Sequence, residues 1–174
     1  MKRPFHIVAG ILALTSAAQL NAAQTAQCLS RGEVHDLIAY VLPDAISSTT
    51  TGCSASLPAD SYLTVKGPAL ADEFKAGKNA AWPGAKAAFM KIANQDGKDN
   101  TLSTVSDELL RGILDGVMAE KLGELKIKPS TCGDISRLSA TLAPMPAENV
   151  IQMTTELVAV VARNDKDFKL CIAE

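Results

Sequence analysis

The chain has 174 residues, 47% of them hydrophobic but only 4% aromatic, and a formal net charge of −2. With no basic run and no row of aromatics to stack against bases, the composition excludes a nucleic-acid-binding surface. A core this poor in rings has to be built from Ala, Leu, Ile, Val and Met, a palette that favours packed helices over a β-sandwich.

The chain opens with MKRPFHIVAGILALTSAAQLNAAQ. Lys2 and Arg3 form a short positive region, Ile7 to Leu14 an apolar run, and small residues then offer a cleavage site after Ala22 or Ala23. This is the layout of a secretory signal peptide over residues 1–23, leaving residues 24–174 as one helical domain. The apolar run falls short of the roughly 20 residues a membrane span needs. Gln27 stands before Cys28, where a lipoprotein processing site requires a small residue. Loss of Lys2 and Arg3 with this segment would take the net charge from −2 to −4. The expected location is periplasmic or secreted. No later stretch is long enough to span a membrane; the most apolar, Leu157 to Ala162, is bounded by Glu156 and Arg163.

All four cysteines, Cys28, Cys53, Cys132 and Cys171, lie in the exported part. An even count in an oxidising compartment predicts two disulfides. Of the three possible connectivities, chain order favours Cys28–Cys53 with Cys132–Cys171, each pair bracketing one helical unit. Isolated cysteines without a CxxC, and with His35 as the single histidine after cleavage, do not form a zinc or dithiol redox site.

The first helix announces itself by a capping box, Ser30 with Glu33, followed by Val34, Leu37, Ile38, Val41 and Leu42 at helical spacing. Pro43 ends or restarts it. Proline then recurs at apparent helix starts: LPDA at Leu42, LPAD at Leu57, GPALADEF at Gly67, WPGAKAAF at Trp82 and MPAE at Met145. Trp82 reads as a core staple. The clearest helix covers Thr104 to Leu125, with an apolar stripe through Leu109, Leu110, Ile113, Leu114, Val117 and Met118. Its stripe predicts the spine of the core, and Gly112 and Gly116, four apart, predict close approach of another helix. A shorter helix over about Cys132 to Leu142 and another from Pro146 to about Arg163, buried on most sides, are expected to form an antiparallel hairpin. With strand signals nearly absent, the reading is an all-α single-domain bundle of seven or eight helices clasped by two disulfides.

The motifs for chemistry are mostly negative. The polar stretch NQDGKDNTLS fails as an EF-hand: with Gly97 sixth, Ile92 and Ser103 fall where Asp and Glu are required, which leaves Asp96, Asp99 and Asn100 in a solvated turn. His35 reads as a partly exposed surface histidine that does not face its neighbour Asp36. Neither a nucleophile elbow nor a phosphate-binding glycine loop occurs. Glu73, Glu108, Glu120, Glu124 and Asp115 are available for carboxylate chemistry, but helix surfaces carry such acids routinely. No catalytic residue, cofactor or metal site is therefore assigned. The expected role is a non-catalytic binding, adaptor or accessory module for a protein or a small apolar ligand. The alternatives are a carboxylate-dependent hydrolase and an acid-stress periplasmic chaperone.

Overall fold

The computed structural model describes residues 28–94, 101–162 and 169–171. Helix α1 spans Arg31–Cys53, α2 Tyr62–Ala93, α3 Asp107–Gly123, α4 Pro129–Leu142 and α5 Ala147–Val161, with a 3-10 turn at Thr101–Thr104 before α3. The all-α class holds. The helix number is corrected: five α-helices stand among the described residues where seven or eight were expected. The expected signal peptide and the polar loop around Gly97 lie outside the described residues.

The difference in number comes from proline. Pro43 lies inside α1, and Pro68 and Pro83 lie inside α2. Each removes a backbone donor and would cost an isolated helix about 3 kcal/mol or more. Packing overrides this local rule, because the buried side of α2 stays in register through both prolines: Leu63, Gly67, Ala71 and Phe74, then Ala81, Trp82, Ala85 and Ala88. Pro58 starts no helix either. It sits in the turn before α2, whose N-cap is Ser61. The Ser30–Glu33 capping box forms as expected, with the Glu33 amide donating to Ser30 Oγ at 3.2 Å and the Ser30 amide donating to Glu33 Oε2 at 2.8 Å.

Helices α1 and α2 run antiparallel and make the most extensive helix contact of the fold. Small residues let them approach closely. A Cβ added to Gly67 would lie 2.5 Å from Thr50 Oγ1, and one added to Gly84 would collide with the Asp36 side chain. The main core cluster gathers on this pair: Ala39, Tyr40, Phe74, Ala81, Trp82 and Ala85, joined by Leu110 and Leu114 of α3 and Ile151 of α5.

The remaining helices lie against that pair. Helix α3 is not the spine: it buries Leu110 and Leu114 but leaves Leu109 54% and Val117 40% exposed. Gly112 and Gly116 receive no partner helix, since a Cβ on either would meet nothing within 4 Å. The apolar stripe spans more of the helix circumference than the contacts with α1 and α2 cover. Helices α4 and α5 are joined by a short turn, but they pack chiefly on α2 and α1 respectively rather than on each other. Helix α5 is less buried than expected, with Leu157, Val160 and Val161 exposed.

The disulfide pairing is also corrected. Cys28 pairs with Cys171, and Cys53 with Cys132, in nested order, with Cα separations of 5.0 and 5.5 Å. A parallel β-bridge between Leu29 and Leu170 brings the first pair together; the Leu29 amide donates to the Lys169 carbonyl at 2.8 Å and the Cys171 amide to the Leu29 carbonyl at 2.9 Å. The last residue of α1 meets the first turn of α4 at the second. Here the Leu63 amide donates to the buried Ser136 hydroxyl at 3.1 Å, seating α4 on the start of α2.

Two glycines separate close approach from mere helix propensity. Gly84→Ala is expected to destabilise the protein by about 1–3 kcal/mol through overpacking against Asp36. Gly112→Ala should stabilise it by about 0.4–1 kcal/mol, since its site is open and the backbone gains helix propensity. Chemical denaturation measures both; changes of the same sign would contradict the close α1–α2 contact.

Candidate functional site

Among the concave regions that border the α1–α2 pair are a polar one and an apolar one. The polar one lies under α3. Tyr40 of α1 is buried and donates its hydroxyl to Asp115 Oδ1 of α3 at 2.9 Å. Lys78 of α2 reaches Asp44 Oδ2 at 2.7 Å and Asp115 Oδ1 at 3.2 Å, with its ammonium 4.5 Å from the Tyr40 ring centre. Burial alone pulls the Lys78 ammonium down, but its hydrogen bonds to the two aspartates outweigh this and hold its pKa above the ordinary lysine value. Burial, with Asp115 accepting the hydrogen bond, pushes the Tyr40 phenol far above the usual tyrosine range.

An aromatic step continues the cluster. The Trp82 and Tyr40 ring centres lie 5.3 Å apart, and the Arg111 guanidinium sits 4.7 Å from the Trp82 ring centre. The Trp82 indole donates to Asp107 Oδ2 at 2.6 Å, and Lys86 pairs with the same carboxylate. Hydrogen bonds from Lys86 and Trp82 hold Asp107 below the usual carboxylate range. The Trp82 staple thus carries a polar handle, as a buried indole needs.

A cavity of about 470 Å³ opens beside this cluster, lined by Asp44, Ser47, Ser48, Lys78, Asp115, Ala119 and Leu122. Its chemistry is self-contained. A lysine held protonated between two carboxylates is a poor nucleophile, and each carboxylate faces that cation. The arrangement fastens α3 to both long helices.

The apolar region lies between α1, α2, α4 and α5. Leu42 and Ile46, one turn apart on α1, form one wall, and Leu70 and Phe74 of α2 form the next. Leu142 of α4, with Ala143 and Met145 of the following turn, closes one side, and Val150 and Thr154 of α5 close another. The volume of this partly open cavity is about 150 Å³. Polar groups at the lining are few: Glu73, Ser139 and Thr154, the last already donating its hydroxyl to the Val150 carbonyl at 2.8 Å.

The other candidates are dispersed. His35 is half-buried, with Nδ1 3.1 Å from Asp36 Oδ1 and Nε2 3.0 Å from Glu148 Oε1. The expectation that Asp36 would not face it is corrected: the Asp36 side chain bends back over Gly84, within reach of the ring. The imidazole ties α1 to α5, and no hydroxyl nucleophile is among its described hydrogen-bond partners. Of the five acids read as available, Asp115 sits in the polar cluster and Glu73 at the apolar cavity. Glu108 and Glu120 are exposed on α3, and Glu124 pairs with Lys121 at 3.1 Å. They do not converge. No group of three or more metal-ligating side chains occurs among the described residues, and no described helix is long and apolar enough to cross a membrane. No protein family matches this chain, and neither a curated protein nor a solved structure matches it.

The polar cluster has a pH signature. Tyr40 and Lys78 keep their protons in the fold to higher pH than in the unfolded chain. Their contribution to stability is therefore full below the unfolded values, about pH 10, and is lost as pH rises through the folded ones. The melting temperature should begin to fall near pH 10 and keep falling as pH rises further, and Tyr40→Phe should fall less steeply. An equal alkaline decline in the two proteins would contradict this placement of the phenol.

Proposed function

We propose that this protein is an exported, non-catalytic binding module that holds a small apolar group in the cavity between α1, α2, α4 and α5. The observation that carries this reading is the cavity itself. Four elements contribute side chains to it, its walls are aliphatic and aromatic, and about 150 Å³ is the size of a protein cavity that takes a benzene-sized guest. Export is supported by the Lys2-to-Ala23 layout and by two disulfides with no free cysteine, a pattern of oxidising compartments. On this reading residues 1–23 are the signal peptide and residues 24–174 the mature domain.

The hydrolase reading requires a free acid and a free base in one cleft. Asp44 and Asp115 instead share Lys78. The binding reading requires only shape and apolar surface, and both are present.

Toluene is a sufficient probe. A guest that binds only the folded state raises the melting temperature in proportion to the logarithm of its free concentration. Toluene should do this for the native protein and should have no effect on Ala143→Phe, whose larger side chain fills the cavity from the turn. An unchanged melting temperature in the native protein at saturating toluene would overturn the reading.

A further inference from the structure

The carboxylates that line the cavities are not in equivalent states. Asp44 and Asp115, in the polar cavity, face Lys78, and Asp107, beside Trp82, faces Lys86. Glu73, at the edge of the apolar cavity, has no ion-pair partner among the described residues. Its neighbour Asp72 takes Lys75 at 2.8 Å. The remaining lining is Ser139, Thr154 and apolar side chains, so Glu73 is the single charge among the described residues at the cavity. Glu73 is exposed, so its charge remains hydrated while the apolar walls lie below it.

We infer that the cavity takes a small amine: an apolar group of about benzene size held among Leu42, Phe74, Leu142 and Val150, with an ammonium at the rim against Glu73. The inference rests on the proposed binding cavity and adds the head group. Each part follows from a separate observation. The volume sets the apolar group. The sign of the one unpaired rim charge sets the head, since a carboxylate attracts an ammonium and repels an anion. An anionic amphiphile of the same shape would place like charges together, and a neutral one would leave Glu73 unused.

Three near-isosteric probes separate these cases: phenethylamine, 2-phenylethanol and phenylacetate, titrated by calorimetry at low ionic strength. The amine should bind about threefold to tenfold tighter than the carboxylate, with the alcohol between them; exposed ion pairs contribute only this much. Added salt should narrow the spread. In Glu73→Gln the amine should fall to the affinity of the alcohol while the alcohol itself is unchanged, and Ala143→Phe should abolish all three. Melting curves of both variants establish that they fold. Equal affinity of the three probes for the native protein would overturn the amine inference and leave the apolar cavity standing. Amine binding that survives in Ala143→Phe would also overturn it, because the ammonium would then pair with Glu73 outside the cavity. Failure of all three to bind would overturn the cavity and the inference together.

Discussion

The close approach of α1 and α2 is the constraint on which the rest of the structure depends. An aromatic-poor chain cannot fill wide interhelical gaps, so its two longest helices meet along alanine and glycine. Gly67 against Thr50 and Gly84 against Asp36 mark where backbone meets side chain with no room for a Cβ. Packing of this kind gains dispersion contacts along its whole length. That gain carries α1 through Pro43 and α2 through Pro68 and Pro83, each of which would end a helix that lacked a partner.

Everything else is fastened to this pair by a few specific groups. The Tyr40–Asp115–Lys78–Asp44 network and the Trp82–Asp107 bond seat α3, while His35 with Glu148 and Arg31 with Glu156 seat α5. Glu33 links both ends of the hairpin. Its carboxylate completes the cap of α1 and pairs with Lys91 near the end of α2 at 2.7 Å. Burial raises the Glu33 pKa, but the hydrogen bonds from Lys91 and Ser30 prevail and hold it below the ordinary value. The nested disulfides then close the outer and inner loops, 143 and 79 residues apart in sequence. In the chain-entropy picture loops on the order of a hundred residues restrict the unfolded chain most, by up to about 4–5 kcal/mol each. The apolar cavity follows from the same arrangement: α4 and α5 each lean on the hairpin rather than on each other, and the space between them is not fully filled.

Signals within one turn of helix were legible in the sequence, and signals between helices were not. The Ser30–Glu33 box, the start of α5 beside Pro146 and the end of α4 at Leu142 each depend on residues a few positions apart, whereas α4 starts at Pro129 rather than at Cys132. The prolines misled because their penalty is local while the packing that overrides it is not. The cysteine pairing misled for a related reason: chain order favours short loops, but Cys28 and Cys171 meet through a β-bridge that no local pattern reveals. In α3 the stripe was visible, yet which part of it would be covered depends on how far a neighbour reaches around the helix. Of the site, Glu73 was visible as an acid and Trp82 as a buried staple. The cavity was not legible, because Leu42, Phe74, Leu142 and Val150 come from four separate segments.

The central claim is that the α1–α2 pair, and not the strongly amphipathic α3, is the framework of the fold. Native-state hydrogen exchange tests it most directly, because the slowest amides report the unit that opens only with global unfolding. The account predicts the slowest exchange in residues 39–46 and 81–88, with amides of residues 112–120 in α3 exchanging through openings of lower free energy. Protection in α3 equal to or greater than that of the hairpin would contradict it.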